Sequence, residues 1–527
     1  MRLTKVICSF LVIASLSSVG FSQQTSYGRT SFPTSGTPEA QELFLRGLLM
    51  LHSFQYEDAR EAFQEAERLD PDFAMAYWGE AMTHNHPVWF QQDREAARAA
   101  LRKLGDTPEA RLARAPTERE KNYLRTADIL FGDGEKEGRD FKYADAMAHL
   151  AEKYPDDLDA ATFHALAILG TSHQGRDFAT YMKAAAIVEE VFDKNPEHPG
   201  AAHYLIHSYD DPIHAPLGLR PARIYAKIAP SASHALHMPS HIFFALGMWD
   251  LATESNINSY DAAKSRSERK RIPLSGHGYH ALWWLLYSNL QQGRYADARK
   301  LLDVVEAHYH KTNNLARARH HVVRMNTAYA LETGKWQDRI NRLGIKISDM
   351  NTESAAAYLF LTGKMALDKG DAQTARNALD QMQQRTAENK GAAALQLELA
   401  ALIRLTEGEQ DDALDLLNKA TAIEDAMPLD FGPPWPLKPS HELLGEVLLK
   451  LDRPAEAQHQ FELALQRTPR RAFSLLGLAR AAARSGDSST ANQSYRKLKE
   501  IWHAADSNLA ALKEVKAALE LAAKGTE

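Results

Sequence analysis

The chain has 527 residues, 44% of them hydrophobic, and a formal net charge of −6. It therefore has ample material for a buried core, and no basic footprint for nucleic acid or an anionic membrane surface. Its one cysteine, Cys8, falls within the first 22 residues, which excludes a disulfide or a thiolate ligand in a chain processed after them.

The opening MRLTK, the apolar run VICSFLVIASLSSVGF and a small-residue exit around Gly20 and Ser22 read as a secretory signal peptide over residues 1–22. An exported chain, periplasmic or secreted, is expected. The run is too short and wrongly flanked for a stable membrane span, and no later segment reaches ~18 unbroken apolar residues. Val6 and Ile7 lack the small residue expected ahead of a lipid-modified cysteine. Residues 23–37, QQTSYGRTSFPTSGT, have little to bury and read as a flexible tether.

From residue 38 the pattern is helical. EAQELFLRGLLMLHSFQYEDAREAFQEAERLDPDFAMAYWGEA alternates apolar helical faces, turns at Phe54 to Tyr56, and breaks at Asp70-Pro71 before restarting. Gly47, Ala59, Phe63, Ala66 and Pro71 have the residue types and separations of a 34-residue helix-turn-helix unit. The same grammar returns as Leu444, Gly445, Ala457, Phe461, Ala464 and Pro469, followed by Leu475, Leu478, Ala491 and Tyr495. On these residues the chain resembles the tetratricopeptide-repeat family.

The resemblance implies an all-α, right-handed solenoid of about nine or ten repeats, with the array over 38–428 and further repeats with a capping helix over 441–527. Turns at Gly247, Gly293, Gly334 and Gly370, and a capping box from Thr117 to Glu120, fit that plan. His84 and His86 before Pro87 read as a polar helix end. The run LDFGPPWPLKPS, 429–440, holds four prolines and interrupts the helices, either as a linker or as a strap bringing Trp435 and Lys438 to a groove.

Eleven of the 22 histidines lie between His164 and His280, within a histidine-rich centre taken as 158–292. HPGAAHYLIHSYDD places His203 and His207 four residues apart, and SASHALHMPSHIFF does the same with His237 and His241. Both histidine offsets, and that from Pro196 to Pro230, equal 34 residues, so the pairs occupy equivalent places in consecutive repeats. Each follows a packing residue by one position, a stripe that in the family lines the concave groove.

Imidazoles at i and i+4 are close enough to share an ion, so His203, His207, His237 and His241 are candidate metal ligands. Zinc, copper or iron suits neutral imidazole. His214, His234, Asp210 and Asp211 are candidates to complete or tune the shell. His280, near His277, is expected to face the groove beside Trp283 and Tyr287, whereas Trp284 reads as helix-packing bulk.

No phosphate-binding loop, nucleophile elbow or dinucleotide motif occurs, so no nucleotide or organic cofactor is indicated. Three functions follow. One is an exported scaffold whose concave groove binds a protein, peptide or small-molecule ligand and a transition metal. Another is a metal-dependent hydrolase or oxidoreductase, with Asp210, Asp211 or Tyr204 handling protons. The third is a metal-free scaffold for envelope assembly.

Overall fold

Amphipathic helices of one to two dozen residues, each too narrow to bury its apolar face alone, pair into antiparallel hairpins and stack. In the first hairpin Pro38–His52 buries Phe44, Gly47, Leu48 and Leu51 against Ala59, Phe63 and Ala66 of Tyr56–Leu69. The computed structural model describes residues 27–312, 315–335, 339–385 and 389–524. It is an all-α solenoid of such hairpins, and the segment expected as a signal peptide lies outside the described residues. Among those residues the one sheet is a two-stranded ribbon pairing Asn85–His86 with Gln91–Gln92, where a helix end was expected. No described helix is long and apolar enough to cross a membrane.

Two devices recur along the stack. The first is a wedge: Phe63 fits between Gly47 and Gly79, where an added Cβ would lie 2.8 and 2.5 Å from its ring. Phe461 does the same between Gly445 and Gly477, at 2.9 and 2.2 Å. Glycine is required because the aromatic ring occupies the space of a side chain. The second is a left-handed residue at the turn within a hairpin, supplied by glycine at Gly247, Gly293, Gly370, Gly408 and Gly486. Phe54 and Asp452 take that role without glycine's freedom.

The winding is tight enough that hairpins about 200 residues apart touch. Asp58 of the first hairpin is paired with Arg266 at 2.7 Å and with Lys270. Near the other end, the Gln291 carbonyl accepts from Trp502 Nε1 at 2.9 Å, and Gln291 Oε1 accepts from the Ala472 amide at 2.9 Å. Arg471 is buried among Glu332 at 2.6 Å, Glu442 at 2.7 Å and the Tyr287 hydroxyl at 2.5 Å. Successive turns therefore close over the inner face.

Three sequence expectations change here. Residues 27–37 are not a free tether: Phe32 is buried against Phe44, Trp78 and Tyr123, and Thr30 Oγ1 donates to Asp159 at 2.7 Å. Pro239 splits the expected single helix into Ser233–His237 and Pro239–Ala245. The proline-rich run is more than a linker, since it crosses the inner face with Phe431 and Gly432. Its Trp435 and Lys438 instead bond Asn389 at 3.3 Å and Glu442 at 2.9 Å.

The wedge makes Gly477→Ala an overpacking change that forces the Phe461 ring to move, at an expected cost of about 1–3 kcal/mol. Gly138→Ala, with nothing within 4 Å of the new methyl, is expected to be neutral or slightly stabilising. Thermal unfolding of both variants checks the contrast; equal stability would contradict the wedge.

Candidate metal centre

Four inner helical segments supply the histidines, two of them the halves of the helix broken at Pro239. Pro199–Tyr209 begins with proline at its first position, and the His198 side chain accepts from the Ala201 amide at 3.2 Å, which fixes where the helix starts. That places His203 and His207 one turn apart. Ser233–His237 and Pro239–Ala245 carry His234, His237 and His241. Gly276–Gln291, capped by Ser275, carries His277 and His280.

Together they form one continuous imidazole layer, with ring centroids 4.9 Å apart for His203 and His234, 5.4 Å for His207 and His241, and 4.7 Å for His237 and His280. His203, His207, His234, His237 and His241 are each between 0% and 3% exposed, while His277 and His280 at the edge are half-buried, so the layer is covered except along that edge.

Within the layer the nitrogens sort into two compact all-histidine groups, and a third set of His207, Asp210 and His241 bridges them, with one ligand atom of each within 4.8 Å of the other two. His203, His207 and His234 each place a ring nitrogen within 4.8 Å of the other two, and so do His237, His241 and His280. In both groups two Nε2 atoms face each other at 3.2 Å: His203 with His234, and His237 with His241. Two nitrogens each ~2.0–2.1 Å from one tetrahedral ion would lie roughly 3.3 Å apart.

The outer hydrogen bonds decide what the inner nitrogens carry. His237 Nδ1 lies 2.7 Å from Asn256 Oδ1, and Asn256 Nδ2 donates to the Ala252 carbonyl, so the asparagine oxygen must accept from the ring. His241 Nδ1 donates to Asp210 Oδ2 at 2.8 Å. His203 Nδ1 donates to the His52 carbonyl at 2.7 Å. With Nδ1 holding the hydrogen, each Nε2 of a neutral ring is a bare lone pair. His237 and His241 thus direct two lone pairs at one point, an arrangement that repels until a cation stands there. His207 is buried with neither ring nitrogen hydrogen-bonded, its Nδ1 3.4 Å from Asp210 Oδ2.

Electrostatics keep the rings in the ligand form. Burial first, and neighbouring histidines second, push His203, His234 and His237 well below the ordinary imidazole value. His241 is pushed down to about 4 by burial, against the pull of Asp210. Burial works to raise Asp210, but Arg176, the hydrogen bond from His241 and the nearby His207 ring hold it below the usual carboxylate range. Asp210 is ion-paired with Arg176, which also reaches Asp211 at 3.2 Å.

The four histidines singled out from the sequence are brought into one layer, but not into one ligand set. His203 and His207 group with His234, and His237 and His241 with His280, because the break at Pro239 and the third helix set each group's remaining corner. His214 and Asp211 bond each other at 2.9 Å outside both groups. Asp210 is the outer acceptor for His241. Tyr204 donates to His52 Nδ1, 3.1 Å away, on the other side of the helix.

Trp283 lies beside Tyr287 at 6.0 Å, as expected, and its ring is beneath the Arg324 guanidinium. Trp284, taken as packing bulk, stacks on His241 at 4.6 Å and meets His237 at 4.8 Å.

Two further residues pack over the layer. Phe54 sets its ring 4.3 Å from His203, and Phe431 sits 4.6 Å from His241. Gly432, with φ +93°, lets the strap pass against Trp284, where a Cβ would be 2.5 Å from the ring. Phe431 and Trp284 gave no local signal in the sequence. Phe54 gave one: an aromatic at the turn position where other hairpins have glycine.

A neighbouring cluster behaves differently. His52 Nε2 donates to Asp159 Oδ1 at 2.8 Å, His198 Nε2 approaches the same oxygen at 3.4 Å, and Thr30 and Tyr204 complete the set. Both His52 nitrogens have protein partners, whereas His198 Nε2 has no hydrogen bond. His52, Asp159 and His198 also place one ligand atom each within 4.8 Å of the others, and the cluster ties the histidine helix to the first hairpin as a buried bracket.

Comparison with known proteins agrees with the repeat plan. Models of the tetratricopeptide repeat match residues 40–73 and 443–510. No curated protein sequence matches significantly. Among solved structures, the human IFIT1 dimer with m7Gppp-AAAA is 13% identical, covering 90% of this chain and 92% of that one with a TM-score of 0.38. The APC/C hetero-tetramer Cut9-Hcn1 is 12% identical over 91% and 76%, with a TM-score of 0.35. Naa15/Naa10 bound to HypK-THB is 12% identical over 92% and 73%, with a TM-score of 0.24. Scores this low carry no transfer of activity.

Asp159→Ala is expected to cost about 3–5 kcal/mol, because it strips the buried partners of His52 and His198. It should leave the metal content of the folded protein unchanged. Thermal unfolding paired with elemental analysis checks both halves; unchanged stability would contradict the bracket.

Proposed function

We propose that this chain, a member of the tetratricopeptide-repeat proteins, holds transition-metal ions in its covered histidine layer as the centre of a metal-dependent enzyme. The observation that carries the reading is the pair of Nε2 lone pairs of His237 and His241, 3.2 Å apart with both Nδ1 hydrogens committed outward. Each three-imidazole group leaves a coordination position for water or a small ligand, the pattern of catalytic rather than purely structural sites.

Copper and zinc fit the donors best. Non-haem iron commonly uses two histidines with a carboxylate, and His207, Asp210 and His241 form such a set, but there Asp210 is already tied to Arg176 and His241, which makes it the poorer donor. The repeats serve as a binding framework, but residues at 0–3% exposure are out of reach of a protein partner, so the occupant at this centre is small. It enters past His280, which is half-buried. Hydrolysis by a metal-activated water and redox chemistry on copper are the two reaction classes this centre supports.

We read the chain as exported, on the strength of its N-terminal apolar run. The expected outcome is a mature protein beginning near residue 23, checked by N-terminal sequencing after cell fractionation.

Elemental analysis tests the metal reading. Wild type loaded with zinc or copper and then dialysed is expected to retain metal. His237→Ala/His241→Ala and His203→Ala/His207→Ala are each expected to lose about half of it while keeping the helical signal. Metal-free wild type after loading would overturn the proposal.

A further inference from the structure

The helices Trp249–Lys270 and Tyr295–Lys311 both pack on Gly276–Gln291, and their C-terminal ends border one cavity of about 400 Å³. The chain leaves the first of them through Arg271, which takes a left-handed backbone, φ 55°, where helices commonly end in glycine. Ile272, Pro273 and Leu274 after it make the apolar side of the cavity.

Three cations, Lys264, Arg271 and Lys311, line the cavity with one carboxylate, Glu268. None of the four is ion-paired among the described residues, whereas Arg266 and Lys270, on the same helix as Lys264, are tied to Asp58. Cations at helix ends are commonly accounted for by the carbonyls they face. Those carbonyls do not account for two polar groups on the same cavity. Tyr279 is 1% exposed, and its hydroxyl makes no hydrogen bond of ordinary length, although Thr312 stands near it. His308 meets the Tyr279 ring edge-on at 5.8 Å, and its buried Nδ1 has no partner either. Buried polar groups left unmatched are costly, and a bound molecule would supply what they lack. Lys264 and Lys311 are near enough for their charges to act on His308.

We infer that this cavity binds a soluble phosphate monoester, with Lys264, Arg271 and Lys311 on the phosphate and Tyr279 and His308 on polar atoms of the organic part. Three cations against one carboxylate leave a surplus of two positive charges, which matches a dianion better than a carboxylate. The volume exceeds the need of a bare oxyanion and falls in the range of small-molecule sites, about 300–1,000 Å³. None of the cavity's residues belongs to a three-histidine group, so the site stands apart from the proposed metal centre.

Isothermal titration of glycerol 3-phosphate into the full chain, with acetate for comparison, tests the inference. Wild type is expected to bind the ester more tightly than acetate. Lys264→Gln/Lys311→Gln is expected to weaken the ester by about tenfold or more, and Tyr279→Phe, which keeps the ring, by about threefold. Arg269→Gln, at an exposed cation of the same helix outside the cavity, should bind like wild type. Circular dichroism should show the same helical signal in every variant. No binding by wild type, acetate binding as tightly, or unchanged affinity in Lys264→Gln/Lys311→Gln or in Tyr279→Phe would overturn the inference. So would an equal loss in Arg269→Gln.

Discussion

Two imidazoles that have both given their hydrogens to outer acceptors cannot bond to each other. That constraint governs the centre of this protein: Asn256 fixes His237, Asp210 fixes His241, and their bare nitrogens meet at 3.2 Å. The fold brings this about by tight winding. Hairpins far apart in the chain touch, water is kept out, and a polar layer is left where a hydrophobic core would be expected. Without a cation such a layer carries the penalty of unsatisfied buried groups, His207 above all.

The wall around the layer shows how strain and cover are combined. Phe54 adopts a left-handed backbone, φ 53°, at a turn where most other hairpins use glycine, and its ring is the part that rests on His203. Phe431 arrives from the opposite direction on the proline-rich strap. Residues separated by several hundred positions thus pack against one histidine layer. The Asp159 bracket and the Arg471 cluster hold the turns of the solenoid that carry them. Packing, turn chemistry and buried ion pairs all converge on keeping the imidazoles in register.

The repeat plan was legible in the sequence because its parts are local. Gly47 with Phe63 and Gly445 with Phe461 recur at fixed spacings, and a 34-residue offset relates the two histidine pairs. The presence of a histidine layer followed from that offset. How the layer sorts into ligand groups did not, because it depends on a helix broken at Pro239 and on the rotation of the next inner helix. That rotation sets Trp284, not Trp283, against His241. The covering of the groove was equally hidden, since it comes from contacts between distant turns. Residues 27–37 looked like a tether only because Phe32 gives no sign of the pocket it fills.

The most direct measurement on the central claim is X-ray absorption at the zinc or copper edge of the loaded full-length chain. The account predicts an ion ringed by about three imidazole nitrogens and one further light atom, at ~2.0–2.1 Å for zinc. A spectrum of a fully hydrated ion, or one dominated by carboxylate oxygens, would contradict it.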